Sequence, residues 1–280
     1  MPDTPDFPHP VVDAPPVMFI HGLWLAASSW DPWQTRFGAA GFHTLAPTWP
    51  GEAPSVTDAR AHASDQAGNG IDEVTAHFAE AIAPLDRKPI VIGHSFGGLI
   101  AQILLAADVA AAAVAIDPAQ IQGVKALPLA QLRASFPVLG NPANARRSVT
   151  LTPDAFAYGF GNTLERSESD ALYEHWAIPS PGRPLFQAAL ANFLPGSPAH
   201  VDTTARRGPL LILGGGQDHT VPESVSRSAH HRYHKADTDN DYIVLADRGH
   251  SLTVDHGWPD VADTVLDWLA QKGFGAPVSH

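Results

Sequence analysis

The chain has 280 residues and no cysteine. That absence excludes disulfides, thiolate metal sites, iron–sulfur clusters and a thiol nucleophile in one step. Positive charge is also scarce, with Lys+Arg 17 against Asp+Glu 29 and a net charge of -12. Such a field repels phosphate backbones and anionic lipid surfaces, so neither nucleic acid nor a membrane is an expected partner. Uninterrupted apolar stretches of membrane length are missing. The nearest one, residues 99–116, is broken by Gln102 and Asp108 and reads as a buried helix followed by a buried strand. The run Met1–Pro10 carries acids and prolines where a secretory signal would have a basic start and an apolar centre, so a cytoplasmic location is expected.

What is present is a globular composition, 44% hydrophobic and 16% charged. Short apolar runs at Val17–Ile20, His43–Ala46, Ile90–Ile92, Ala113–Ile116, Leu210–Leu213 and Tyr242–Leu245 read as strands. Between them lie helical stripes: Trp30, Trp33 and Phe37; Ile71, Val74, Phe78 and Ile82; and Val261, Val265, Trp268 and Leu269. Strand–helix alternation of this kind specifies an α/β fold, a mostly parallel sheet of about six strands with helices on both faces. Residues 119–207 break the alternation with nine prolines and short helical patterns, and read as an inserted helical cap over the crevice of a single domain spanning 1–280. The insertion holds eight basic and six acidic residues, which leaves -14 on the remainder and hints at a substrate with some negative charge.

The chemistry concentrates at predicted strand ends. In Ile90-Val-Ile-Gly-His-Ser-Phe-Gly-Gly98, the pattern Gly93-x-Ser95-x-Gly97 stands between an apolar strand and a helical run. A serine at such a sharp turn is held in a strained backbone, and the glycines keep neighbouring side chains from colliding. The turn also sets Ser95 at a helix N-terminus, where developing negative charge is favoured. A hydroxyl nucleophile needs a base held by a carboxylate. His250, in Asp247-Arg-Gly-His-Ser, follows the last strand and is the expected base. Asp218, in Gly216-Gln-Asp-His-Thr-Val-Pro222, is the expected acid, with Asp117 at the preceding strand end as its rival; Asp247 and Asp255 are not at strand ends. The backbone N–H groups of Phe96 and Leu23 are the expected oxyanion donors, with Trp24 the competing register for Leu23. His21 is expected to tie that loop down, His94 to pack or bond the backbone, and Trp24 and Trp49 to line the substrate pocket. His230, His231 and His234 include an i, i+4 pair on a helical pattern but read as a solvated face, so no metal is assigned.

The motifs His21-Gly22, Gly93-His-Ser95-Phe-Gly97-Gly98, Gly216-Gln-Asp218-His and Gly249-His250 occur in the order nucleophile, acid, histidine. Together they resemble the α/β-hydrolase superfamily, in its serine branch of esterases and lipases that includes the cofactor-free haloperoxidases or perhydrolases. The resemblance spans nearly the whole chain except the insertion. It implies the fold, the triad Ser95–His250–Asp218 and the oxyanion donors Leu23 and Phe96, with no cofactor. Ser95 stands where dehalogenases and epoxide hydrolases of the superfamily carry Asp. The expected activity is that of a carboxylesterase on a small to medium ester, with perhydrolysis or ligand reception without turnover as alternatives.

Overall fold

The computed structural model describes residues 14–275, so the Met1–Pro10 reading lies outside the described residues. Six strands form one sheet: β1 (Val17–Ile20), β2 (Thr44–Leu45), β3 (Ile90–His94), β4 (Ala112–Ile116), β7 (Leu210–Gly215) and β8 (Asn240–Leu245). Their order is β2-β1-β3-β4-β7-β8 and every pairing is parallel. The register aligns the carboxyl ends, with Ile20 opposite Gly93, His94 opposite Ile116, and Ile116 opposite Leu213. The edge strand β2 is shorter than the expected His43–Ala46, while β8 starts two residues earlier than expected, at Asn240. Those two polar residues pair with Leu210 and Leu211 through backbone alone, which an apolar pattern does not register.

Parallel strands must be covered on both sides, and the alternation of side chains shows how this is done. Val17 and Phe19 of β1, Ile90 and Ile92 of β3, and Leu211 and Leu213 of β7 face one apolar layer. It is completed by Trp33 and Phe37 of α1 (Asp31–Ala39) and by Val261, Val265 and Leu269 of α10 (Trp258–Gln271). Met18, Ile20, Val91, Ala113 and Ile212 face the other layer. There they meet α3 (Ile71–Ile82), α4 (Phe96–Ala106) and α9 (Glu223–His231). The expected helical stripes are these buried faces. A short helix, α2 (Val56–Ala61), is capped by Ser55, whose Oγ accepts from Asp58 N–H.

Residues 119–207 carry α5 (Leu129–Leu139), α6 (Pro153–Gly159), α7 (Arg166–Trp176) and α8 (Arg183–Leu190). A two-residue antiparallel ribbon joins β5 (Ser148–Val149) to β6 (Ser180–Pro181). Val138, Leu151, Phe156, Phe160 and Ala188 add to the α3/α4 layer, so the segment packs on the main core as well as on itself. No helix among the described residues is long and apolar enough to cross a membrane.

Candidate active site

Four strand ends deliver the site. β3 ends at His94, and Ser95 follows with φ 56 and ψ -119, before Phe96 opens α4. That backbone is strained for a residue with a Cβ, and it is held by Ser95 N–H donating to Ile116 O at 2.9 Å and Ser95 O accepting from Gly98 and Ala119. A Cβ on Gly93 would fall 2.0 Å from Gly97 O, and one on Gly97 would fall 2.0 Å from Ile20 O, so only glycine fits on either side of the turn. As the first residue of α4, Phe96 has no intrahelical acceptor for its N–H.

The β7 and β8 ends bring Asp218 and His250 together. His250 is fully buried, and its Nδ1 lies 2.6 Å from Asp218 Oδ2. The other carboxylate oxygen, Oδ1, accepts from Thr220 N–H at 2.6 Å and Val221 N–H at 2.9 Å, which fixes the rotation of the acid. The His250 ring packs between His94, with centroids 4.6 Å apart, and Phe160, at 4.8 Å. Phe160 and Ser95 share the wall of one cavity. His250 Nε2 has no hydrogen-bond partner among the described residues. His94 does what the sequence suggests and packs. Burial, then the neighbouring His250, pushes its imidazole well below the ordinary range, so it is neutral.

Asp247 is exposed. Asp255 is ion-paired with Arg248 and accepts from Ser251 Oγ and Gly257 N–H, so its carboxylate is occupied elsewhere. Asp117, the rival acid, is fully buried and sends Oδ1 to Gly215 N–H at 2.6 Å. His94, Asp117 and His250 place nitrogen and oxygen atoms within 4.8 Å of one another. Within this group His250 Nδ1 already serves Asp218.

The β1 end supplies the loop His21–Ala26. It runs against the nucleophile, since a Cβ on Gly22 would fall 2.6 Å from Ser95 Cβ. Trp24 adopts φ 66, and its N–H donates to Ser180 Oγ at 2.7 Å. That donor is therefore spent on Ser180. Residues 176–180 of the insertion are stitched to this loop. Ala26 N–H donates to Trp176 O at 3.0 Å, Ile178 N–H donates to Trp24 O at 3.1 Å, and Leu25 bridges Ala177. Trp24 Nε1–H reaches Val149 O.

Under the loop sits a buried pair that sequence reasoning half-saw. His21 Nε2 lies 2.7 Å from Glu52 Oε2, and both side chains are at most 3% exposed. Glu52 also accepts from Ala27 N–H and Trp49 N–H. Burial pushes the Glu52 carboxyl up, but the charge and hydrogen bond of His21 and the two backbone donors outweigh it, so the carboxyl lies below its ordinary value. Trp49, expected in the pocket, instead packs on His21 and donates from Nε1 to His21 O at 3.1 Å. Its strand-end position brings it to the site's edge, and the loop hydrogen bonds turn it away from the cavity.

The cavity holds about 160 Å³ and is lined by Ser95, Trp24 and Phe96 on one side and by residues of α5, α6 and α8 on the other. Leu, Ala and Phe side chains dominate the wall, and no Lys, Arg or His lies in it. The basic residues of 119–207 lie outside this wall. The histidine group near residue 230 also differs from its helical pattern. α9 stops at His231, so His230 and His234 do not share a helix face; His230 stacks on Tyr242, and His231 on His234.

A family model described as "Alpha/beta hydrolase family" matches residues 17–264. The chain belongs to the alpha/beta hydrolase family. Among solved structures, it is similar to an extracellular alpha/beta-hydrolase from a Paenibacillus species, with TM-score 0.66, 19% identity, and 93% of this chain and 99% of that one covered. A monoacylglycerol lipase from Paleococcus ferrophilus gives TM-score 0.64 and 20% identity over 92% and 96% of the two chains. A methylesterase from Arabidopsis gives TM-score 0.63 and 16% identity over 92% and 99%. At these identities the likeness shows the fold. No curated protein matches the chain by sequence.

Proposed function

We propose that this hydrolase is a serine carboxylesterase that cleaves a small to medium, largely apolar ester through an acyl-enzyme on Ser95. The observation that carries the reading is the fully buried His250–Asp218 contact of 2.6 Å, packed against Phe160, which also lines the cavity into which Ser95 opens. In this reading His250 Nε2 removes the Ser95 proton as Oγ attacks the ester carbonyl, and Asp218 keeps the imidazole in the tautomer whose Nδ1 carries hydrogen. The imidazolium that forms is stabilised by the Asp218 carboxylate. Negative charge developing on the carbonyl oxygen is met by the N–H groups of Leu23 and Phe96 and by the start of α4. The imidazolium then gives its proton to the leaving alcohol, and water, activated by the same base, releases the acid.

Residues 119–207 act as the cap in this reading, closing the apolar wall over Ser95. The absence of cationic side chains from that wall favours uncharged esters over anionic ones. Purified wild type and Ser95→Ala, assayed on p-nitrophenyl esters from acetate to long acyl chains with early product release recorded, test the proposal. A burst of p-nitrophenol followed by steady turnover, both lost in Ser95→Ala, is expected, with shorter and medium chains preferred. Turnover that is the same in Ser95→Ala would overturn it. Peroxide added to the same assay separates perhydrolysis, which consumes the same acyl-enzyme.

A further inference from the structure

Asp117 has features that a strand-end staple alone does not require. Its backbone has φ 40, a left-handed conformation in a residue with a full side chain. Its N–H donates to Leu213 O at 2.8 Å and its Oδ1 accepts from Gly215 N–H at 2.6 Å, so the backbone and one oxygen tie the β4 end to the β7 end. The second oxygen, Oδ2, is buried, has no donor among the described residues, and faces Asp218 within the cluster that includes His94 and His250. The titratable groups facing this carboxyl are Asp218 from the β7 side, His250 from the β8 side and His94 from β3; the last is neutral. Two carboxyl groups in contact away from solvent cannot both carry charge without a large penalty, and a hydrogen bond between them exists only when one holds a proton.

We propose that Asp117 and Asp218 hold a single proton between them, and that Asp117 is a positioning residue whose Oδ2–H donates to Asp218 and keeps that carboxylate aimed at His250. Asp218 is the member that bears the charge, because it accepts two backbone N–H groups and the His250 ring, whereas Asp117 accepts one backbone N–H. In support, burial and then the Asp218 charge raise the Asp117 carboxyl well above the usual carboxylate range, against the Gly215 hydrogen bond. The catalytic part of this inference rests on the esterase reading; the protonation part does not.

Asp117→Asn separates the two roles, since an amide can accept from Gly215 N–H and donate to Asp218 as the neutral acid does. Its kcat and KM on a p-nitrophenyl ester are expected to stay within about threefold of wild type, whereas Asp218→Asn loses on the order of 10³- to 10⁴-fold in kcat. Asp117→Ala, with its folding checked by melting, is expected to lose about tenfold or more in kcat with KM little changed. An Asn variant as inactive as Asp218→Asn would make Asp117 the ionised triad acid, and an Ala variant of full activity would leave it no positioning role. Either result overturns the proposal.

The proton itself is read by melting temperature against pH. Unfolded, Asp117 ionises at its ordinary value; folded, it ionises only at a higher one. Wild-type stability from this group is therefore full below the ordinary carboxylate value and falls as pH rises toward the folded value. Asp117→Asn has no such loss, so its melting temperature relative to wild type should climb as pH is raised above the ordinary carboxylate value. A difference that is flat or falls over that range would overturn the shared proton. If no ester is turned over in a Ser95-dependent way, the esterase reading fails and the melting series still decides the protonation of Asp117.

Discussion

Strand β3 and helix α5 place their apolar side chains in opposite environments. Every residue of β3 from Ile90 to His94 is buried. On α5 only Val138 is buried, while Leu129 and Phe136 are 83% and 70% exposed. The same contrast holds more widely, since seven of the eight large exposed apolar residues among those described, Leu127, Leu129, Leu132, Phe136, Leu190, Phe193 and Leu194, lie in the insertion. The sheet is the rigid frame that holds a strained Ser95 and a buried His250–Asp218 pair. The outer part of the insertion supplies cavity wall with much less burial behind it. Residues 176–180 belong to 119–207 by sequence but to the frame by contact, because they are hydrogen-bonded to the loop at the β1 end.

This division can be broken at its strongest point first. Ile92→Ala, in the fully packed centre of β3, should cost about 2–5 kcal/mol in denaturant unfolding, because transfer and cavity losses add where the sheet cannot collapse. Glu52→Gln comes next, with an expected loss of about 1–3 kcal/mol from weakening a buried charged hydrogen bond. Its pH dependence has a definite sign. The folded Glu52 carboxyl lies below its ordinary value, so its contribution is present above the ordinary value and is lost as pH falls through the lower, folded one. The melting gap between wild type and Glu52→Gln should therefore be widest near neutral pH and close in acid.

Ser180→Ala tests whether the stitched part of the insertion serves the reaction. Freed from Ser180 Oγ, the Trp24 N–H loses the contact that holds φ 66, and on the proposed oxyanion reading the neighbouring Leu23 N–H loses its aim. About a tenfold fall in kcat with little change in KM is expected, smaller than the roughly 2.7–4 kcal/mol cost of removing an oxyanion donor outright. Equal changes in kcat and KM, or none, would assign the insertion a wall role only. Leu129→Ser marks the weak end, with an unfolding change within about 0.5 kcal/mol. A loss as large as that of Ile92→Ala would show that α5 is part of the frame.

Much of the frame was legible because its signals are local. Apolar runs bounded by turn residues located all six sheet strands, and Gly93-x-Ser95-x-Gly97 specified the turn through sterics that act over five residues. Asp218 and His250 could be chosen from many acids and fifteen histidines because both follow strands whose carboxyl ends a parallel sheet must align. What escaped depends on contacts distant in sequence. Ser180 sits in Ile178-Pro-Ser-Pro181, which reads as a break, and nothing local announces a bond to Trp24 156 residues away. Glu52 was hidden in a polar loop, although His21 on a buried strand end needed a partner and was itself the available signal. Trp49 was misplaced because strand-end position brings a residue near a site without fixing where its side chain turns.

The central claim is that the frame makes Ser95 a nucleophile. Reaction with a fluorophosphonate ester followed by intact-mass and peptide mapping tests it without knowledge of the substrate. A single covalent adduct on Ser95, absent in Ser95→Ala and formed far more slowly in Asp218→Asn, is the predicted result. An unmodified Ser95, or labelling at the same rate when Asp218 is Asn, would contradict it.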